Sequence, residues 1–259
     1  MDNAHHRARK RFGQHFLHDT TVVARIVDAV HPRPGEHLVE IGPGLGAMTR
    51  QLLPRVGRLE AVELDRDVIP RLQARCRDLG ELVVYQQDAL DFDFAALVTD
   101  DRPLRLVGNL PYNISTPLLF HLLRSASLIQ DMHFMLQKEV VERLAADPGG
   151  RDYGRLSVMI QFHCRVDTLF PVAPEAFSPA PKVDSKVVRL IPRPQPPVAV
   201  APERLARLVR QAFAQRRKTL RNNLRGLLEV GEIQAAGIDP GVRPETLSLE
   251  QFAALANRL

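Results

Sequence analysis

The stretch GNLPYNIS at 108–115 sets a side-chain amide, a proline and an aromatic ring directly behind the apolar run PLRLV. Such a composition continues a strand poorly and opens a helix poorly, so it reads as a loop at the mouth of a sheet. Its residue types suit one kind of chemistry. The Asn109 side-chain oxygen and the Leu110 carbonyl are acceptors for the two N–H bonds of an exocyclic amine. Pro111 fixes its own φ and confines Leu110 to extended conformations, which helps hold that carbonyl in place. Tyr112 offers a flat face on which an extruded base can stack. The amine of adenine is a poor nucleophile because its lone pair is delocalised into the ring. Acceptors that favour its pyramidal geometry, with in-line placement against an electrophilic methyl, supply catalysis without an acid, a base or a metal. The plainer roles are an Asn109 that satisfies strand-end backbone and a Pro-Tyr pair that packs a loop.

A second constellation lies upstream. VEIGPGLGAMT at 39–49 reads as a strand, a glycine-rich turn and the start of a helix. Gly42, Gly44 and Gly46 let backbone approach a ligand where a Cβ would intrude, and the natural ligand of such a junction is a nucleotide or nucleoside. Glu63, at the end of the next strand, can accept both hydroxyl protons of a ribose and would repel a ribose phosphate. Turn and carboxylate alone leave NAD and S-adenosylmethionine open. Two details favour the methyl donor. The turn reads G-P-G-x-G, which matches a pyrophosphate cradle less well than G-x-G-x-x-G. Asp88, in QQDAL, can accept from an adenine amino group, although it is equally suited to cap a helix over ALDFDFAAL.

These residues need a scaffold, and the pattern supplies one. Apolar runs at 37–42, 58–65, 82–88, 104–109 and 132–137 read as strands, with apolar residues at helical spacing between them. That alternation predicts a parallel, doubly wound α/β sheet. A further strand is expected at 185–192, while Arg155–Pro171 fits helix or strand equally. PRPQPP at 192–197 is a proline-rich break, so a linker is placed over 193–197. Beyond it Leu205, Leu208, Val209, Ala212, Phe213, Leu220, Leu224, Leu227 and Leu228 follow a helical period, with arginines on another face. The expected organisation is a basic segment at 1–18, an α/β domain at 19–192 and a small all-helical domain at 198–259.

Bulk properties narrow the class. The 259 residues carry 35 Lys and Arg against 30 Asp and Glu, a net charge of +5 that is mild in size. Its placement matters more: RARKR (Arg7 to Arg11) and RRKTLR (Arg216 to Arg221) gather positive charge as a phosphate-binding surface does. Two cysteines, Cys76 and Cys164, lack His partners at ligand spacing, so neither a disulfide framework nor a zinc site is expected. The N-terminus lacks a signal-peptide core, and no apolar run approaches the roughly 18–20 residues of a membrane span. A cytoplasmic protein away from membranes is expected. No long apolar seam demands a partner, so a monomer is expected too.

The chain resembles the ribosomal small-subunit RNA adenine-N6,N6-dimethyltransferases almost end to end. RKRFGQHFL (9–17), VEIGPGLGAMT, VELDRD, YQQDAL, GNLPYNIST, HFMLQKEV, YGRLSV, FSPAPKVDSKVVRL and AFAQRRKTLRNNL (212–224) look like family blocks in family order. The resemblance implies a Rossmann-like class I methyltransferase sheet with a helical domain behind it. It implies transfer of four methyls from S-adenosylmethionine to two neighbouring adenosines in a hairpin loop near the 3′ end of 16S rRNA, within an immature 30S subunit. Carried over by position, the cofactor contacts are His15, Leu17, Gly42, Gly44, Glu63, Asp88 and Asn109. The Asn109–Tyr112 loop, with Leu110 and Pro111, holds the target base, and Phe177 stacks on the base's other face. Arg216, Arg217, Lys218 and Arg221 sit on the basic helix that meets RNA. One departure stands out: the family block more often reads Gln-Asn-Phe-Leu, and His15 takes the Asn position.

Three other functions compete. A dimethyltransferase acting on one adenine of large-subunit rRNA shares the glycine turn and the Asn-x-Pro-Tyr loop, but GNLPYNIST and QRRKTLRNNL favour the small-subunit group. A ribosome-assembly factor would use the basic tail for binding alone. A NAD-dependent oxidoreductase leaves residues 108–115 and the basic tail without a role.

Overall fold

Strands β2 (His37–Ile41), β3 (Arg58–Glu63) and β5 (Leu104–Asn109) are buried along almost their whole length, as the middle of a sheet covered on both faces requires. In the computed structural model, which describes residues 15–259, they join β4 (Glu81–Gln86), β6 (Ile129–Gln137), β7 (Cys164–Val172) and β9 (Ser185–Pro192). The seven strands run in the order β4-β3-β2-β5-β6-β9-β7. The β4–β3, β3–β2, β2–β5 and β5–β6 pairs are parallel, and β6–β9 is antiparallel. The fully parallel sheet expected from the alternation is thus corrected on one side. Between β7 and β9 lie only the three-residue 3-10 turn Pro174–Ala176 and the two-residue Phe177–Ser178 strand, too little chain structure for the helical crossover that a parallel return needs. A two-stranded ladder of β1 (Phe16–Leu17) and β8 (Phe177–Ser178) stands apart from this sheet.

Helices α1 (Thr20–Val30), α2 (Thr49–Val56), α3 (Ile69–Cys76) and α4 (Ser115–Leu122) connect the strands. α1 shows why they form where they do. Asp19 caps it by accepting from the Thr21 and Val22 amides, and Val22, Val23, Ile26, Val27 and Val30 make one buried stripe. Its end is marked by His31 in the left-handed region, at φ 49°. A Cβ at Gly108 would lie 2.5 Å from the Ile41 carbonyl, so glycine permits β5 to close on β2 at the centre of the sheet.

The chain forms two compact units: residues up to Val141 with Asp167–Pro192, and Glu142–Val166 with Arg193–Leu259. A single α/β run over 19–192 is therefore interrupted. Helix α5 (Lys138–Leu144) leads into the excursion, and α6 (Arg155–His163) is buried on nearly every side, at Leu156, Val158, Met159, Ile160 and Phe162. It packs against α7 (Pro202–Ala212), whose Leu205, Leu208, Val209 and Ala212 are buried in turn. The ambiguity of Arg155–Pro171 resolves as α6 followed directly by β7. Short helices α8 (Leu220–Asn223), α9 (Val230–Ala235) and α10 (Leu249–Ala256) complete the second unit, with Phe213 lying between the rings of Tyr153 and Phe252. Among the described residues no helix is long and apolar enough to cross a membrane.

Candidate active site

In an open parallel sheet, ligands lie beyond the carboxyl ends of strands where the strand order reverses. Here that point lies between β2, followed by Gly42, and β5, ending in Asn109. A cavity of about 330 Å³ opens there. His15, Leu17, Gly42, Gly44, Glu63, Asp88, Asn109, Leu110, Pro111 and Tyr112 all line it, although they come from five separate stretches of the chain.

Each wall has a local cause. Gly44 is in the left-handed region at φ 53°, and a Cβ there would approach the Phe16 ring at 3.1 Å, so β1 can lie against the glycine turn. Glu63 closes the turn: its Oε2 accepts from the Gly44 amide at 3.0 Å and its Oε1 from the Asp65 amide at 2.8 Å. Burial pushes its carboxyl up from the ordinary value, and the two amides oppose that shift. A carboxylate oxygen accepts more than one hydrogen bond, so both oxygens keep a lone pair for a vicinal diol. Asp88 does not cap a helix, since Asp93 caps the short 3-10 helix Phe94–Leu97. Its Oδ1 accepts from the Leu90 amide, which tightens a turn rather than capping an α-helix, and its side chain lines the cavity.

At the other end, Asn109 donates from Nδ2 to the His15 carbonyl at 2.9 Å. A carbonyl only accepts, so this bond fixes the amide's orientation and frees Oδ1 as an acceptor. Leu110 donates its amide to the Met135 carbonyl and is buried, which ties the loop to β6. The Tyr112 hydroxyl pairs with the Ser185 Oγ at 2.7 Å, and burial pushes its pKa above the ordinary value. The His15 ring stacks on Tyr112 and its Nδ1 meets the Pro179 carbonyl at 2.7 Å.

Two expectations need correction. Phe177 does not line the cavity: paired opposite Leu17 in the β1–β8 ladder, it is 3 % exposed and packs in the core with Val172 and Ala176. Its placement gives no free face for a base, and it serves instead to anchor the strand that carries His15 and Leu17. Arg216, Arg217 and Lys218 are exposed but lie on turns between α7 and α8, not on a continuous helix. The reason is Asn223, 4 % exposed, whose Nδ2 donates to the Gln215 and Lys218 carbonyls and holds the chain in a loop. Arg221 is exposed on α8 itself. The Arg7–Arg11 cluster, and residues 1–14 of the expected basic segment, lie outside the described residues.

Sequence reasoning missed Phe16, Gln87 and Asn113 on the cavity wall, and above all Glu40. Glu40 is fully buried in β2, accepts from the Thr49 Oγ1 at 2.6 Å through Oε2, and leaves Oε1 without a partner. Burial pushes its carboxyl up to about 7. A carboxylate in the buried run Leu-Val-Glu-Ile was the available signal. Ser185, the partner of Tyr112, had none.

A β4-β3-β2-β5-β6-β9-β7 sheet, with a glycine turn after β2 and a buried carboxylate ending β3, defines a class I S-adenosylmethionine-dependent methyltransferase. The residues fit that cofactor: Glu63 for the ribose, Asp88 for the adenine amine, and Leu17, Ile41 and Ala89 for apolar enclosure. The chain belongs to the ribosomal RNA adenine dimethylase family, whose model matches residues 5–259. It is 60% identical over 255 residues to the ribosomal RNA small subunit methyltransferase A of Pseudomonas aeruginosa, spanning 98% of this chain and 95% of that one. The enzyme of the same name from Nitrosococcus oceani is 59% identical over 256 residues, spanning 98% and 97%. Among solved structures, a dimethyladenosine transferase from Plasmodium falciparum matches with a TM-score of 0.76 at 26% identity, covering 93% of this chain and 96% of that one. The 23S rRNA methyltransferase ErmE matches with a TM-score of 0.71 at 26% identity, covering 94% and 99%.

Proposed function

We propose that this protein transfers methyl groups from S-adenosylmethionine to the N6 amines of two adjacent adenosines in the 3′-terminal hairpin loop of 16S rRNA, as a cytoplasmic monomer acting on an immature 30S subunit. The observation that carries the acceptor chemistry is the Asn109 amide, whose Nδ2 is engaged by the His15 carbonyl so that Oδ1 is left as the acceptor of a residue that lines the same cavity as Glu63. The bound cofactor supplies an electrophilic methyl on a sulfonium. Glu63 accepts from the ribose, and Asp88 accepts from the cofactor's adenine. Asn109 Oδ1 and the Leu110 carbonyl accept from the target amine, which favours the pyramidal nitrogen that attacks. Tyr112 receives the base on its ring face. The amine proton released after each transfer needs no dedicated base, because the methylated ammonium is acidic enough to lose it to water.

Arg216, Arg217, Lys218 and Arg221 are exposed and suited to phosphate contacts in the second unit. Identity to small-subunit enzymes well above that to ErmE supports the 16S substrate over the 23S one. The test is mass spectrometry of rRNA fragments after incubation with isotopically labelled methyl donor and unmethylated 30S particles. Two dimethylated neighbouring adenosines in the 3′-terminal fragment are expected. Label confined to 23S rRNA would refute the assignment.

A further inference from the structure

Residue 15 contacts Asn109 and Tyr112 of the loop that ends β5, and Pro179 of the segment after β8. Its carbonyl accepts from Asn109 Nδ2 at 2.9 Å, its Nδ1 lies 2.7 Å from the Pro179 carbonyl, and its ring stacks on Tyr112 with centroids 5.5 Å apart and planes 28° from parallel. The first contact is made by backbone and is open to any residue. The other two belong to the side chain, and they bear on the plane of the Tyr112 ring.

Tyr112 is held at both ends of its long axis, by its own backbone and by the Ser185 hydroxyl at 2.7 Å. Both anchors lie on the axis about which the ring turns. The hydrogen bond therefore sets where the ring is but not the plane it presents. A flat group against one face sets that plane, and the His15 ring is that group. Its own plane is set in turn. The Pro179 carbonyl can only accept, so His15 Nδ1 carries a proton and donates it, which orients the imidazole.

We propose that His15 is a positioning residue for the target adenine: locked to Pro179 and stacked behind Tyr112, it fixes the plane on which the base lands. The base then takes the opposite face of Tyr112, giving an imidazole–phenol–purine stack whose tilt sets the line from the amine to the methyl. This rests on the reading that Tyr112 receives the base. Asparagine at position 15, the residue the family pattern more often shows, can donate to Pro179 but cannot cover an aromatic face. The histidine thus gives this chain an aromatic support behind Tyr112 that an amide lacks.

The experiment compares His15→Asn, which keeps a donor and loses the ring, with His15→Phe, which keeps a ring and loses the donor. Methylation of unmethylated 30S particles is followed at saturating S-adenosylmethionine, and cofactor affinity is measured separately by calorimetry, which also reports that each variant is folded. Aromatic pairs of this kind correspond to about three- to tenfold in an equilibrium or rate. His15→Asn is expected to lower kcat by about that factor with cofactor Kd unchanged within about twofold, and His15→Phe is expected to recover most of the loss. A weakened cofactor Kd with normal kcat would make His15 a cofactor contact and overturn the proposal. Two variants indistinguishable from wild type would overturn it as well. Tyr112→Ala, run alongside, separates the failures: full activity there removes the base-holding reading itself, whereas inactivity there with unaffected His15 variants removes only the role of His15.

Discussion

Two buried groups of the methyltransferase unit titrate in opposite senses, and replacing each alone exposes the other. Burial pushes the Glu40 carboxyl from 4.5 up to about 7, against the hydrogen bond from Thr49, and nearby Glu63 adds to the rise. Burial pushes the His133 imidazole from 6.5 down to about 4; Asp131 opposes this, while Arg105 and Arg189 reinforce it. The folded state therefore holds the Glu40 proton more tightly than the unfolded chain does. The stability linked to it is complete below pH 4.5 and is lost as pH rises through about 7. His133 is held neutral by the fold, so its contribution is complete above pH 6.5 and is lost as pH falls through about 4. Each interval, at about 1.4 kcal/mol per pH unit, amounts to about 3 kcal/mol. Between pH 4.5 and 6.5 the two slopes oppose each other and nearly cancel. Glu40→Gln is expected to keep only the histidine slope, its stability relative to wild type growing by about 3 kcal/mol from pH 4.5 to pH 8. His133→Leu is expected to do the reverse, its stability relative to wild type falling by a similar amount from acid pH to pH 6.5. Native-state hydrogen exchange of the β2 and β6 amides reads both, because it reports opening of the strands that carry these groups. A Glu40→Gln minus wild-type difference that stays level from pH 4.5 to 8 would show that Glu40 is ionised in the fold, and the reasoning from its burial would fail.

Other expectations concern the site. Asn109→Ala should lower kcat by about a hundredfold or more while cofactor affinity stays near wild type, since the lost acceptor serves the transition state; single-turnover methylation with parallel calorimetry measures both. Glu63→Ala removes the diol acceptor and should weaken S-adenosylmethionine binding by about a hundredfold, with 30S binding retained in a sedimentation assay. Tyr112→Phe should keep most activity but destabilise the unit by about 1 kcal/mol in thermal unfolding, because buried Ser185 loses its partner. Replacing Arg217 and Arg221 together by Gln should reduce the salt dependence of 30S binding and spare methyl-donor affinity; an unchanged salt slope would place the RNA contacts elsewhere.

What the sequence revealed and what it hid follow from distance along the chain and from the size of each element. The central strands β2, β3, β5 and β6 were legible because burial on both faces forces apolar runs, and helical spacing between the strands is hard to mistake. The two-residue strands β1 and β8 carry no periodicity at all. The helical period from Leu205 to Leu228 held as a pattern, yet the chain leaves the helix at Phe213. The stripe reports only which residues are buried, and Asn223 sits among them to gather the loop's carbonyls. A buried asparagine in the pair Asn222-Asn223 was the one sign of a break.

In the site the same division holds for a chemical reason. Glu63, Asp88 and Asn109 were legible as cavity residues because a carboxylate or amide at or just past the end of an apolar strand has no place in the core and faces the ligand side of the sheet. The residues that aim them were not, because an aiming contact needs only a carbonyl or a hydroxyl, and every residue or many residues can supply one. Pro179 is 164 residues from the His15 ring it orients, and Ser185 is 73 from Tyr112. Phe177 shows the converse error: an aromatic in a proline-rich loop invites a stacking role, but the Leu17 ladder turns its ring into the core. Reactivity thus left its mark on residue types, while precision of placement left its mark on folding back of the chain. The exchange of an expected asparagine for His15 is a point where the second kind of information surfaced in the sequence, because there the residue that makes a positioning contact departs from the family pattern.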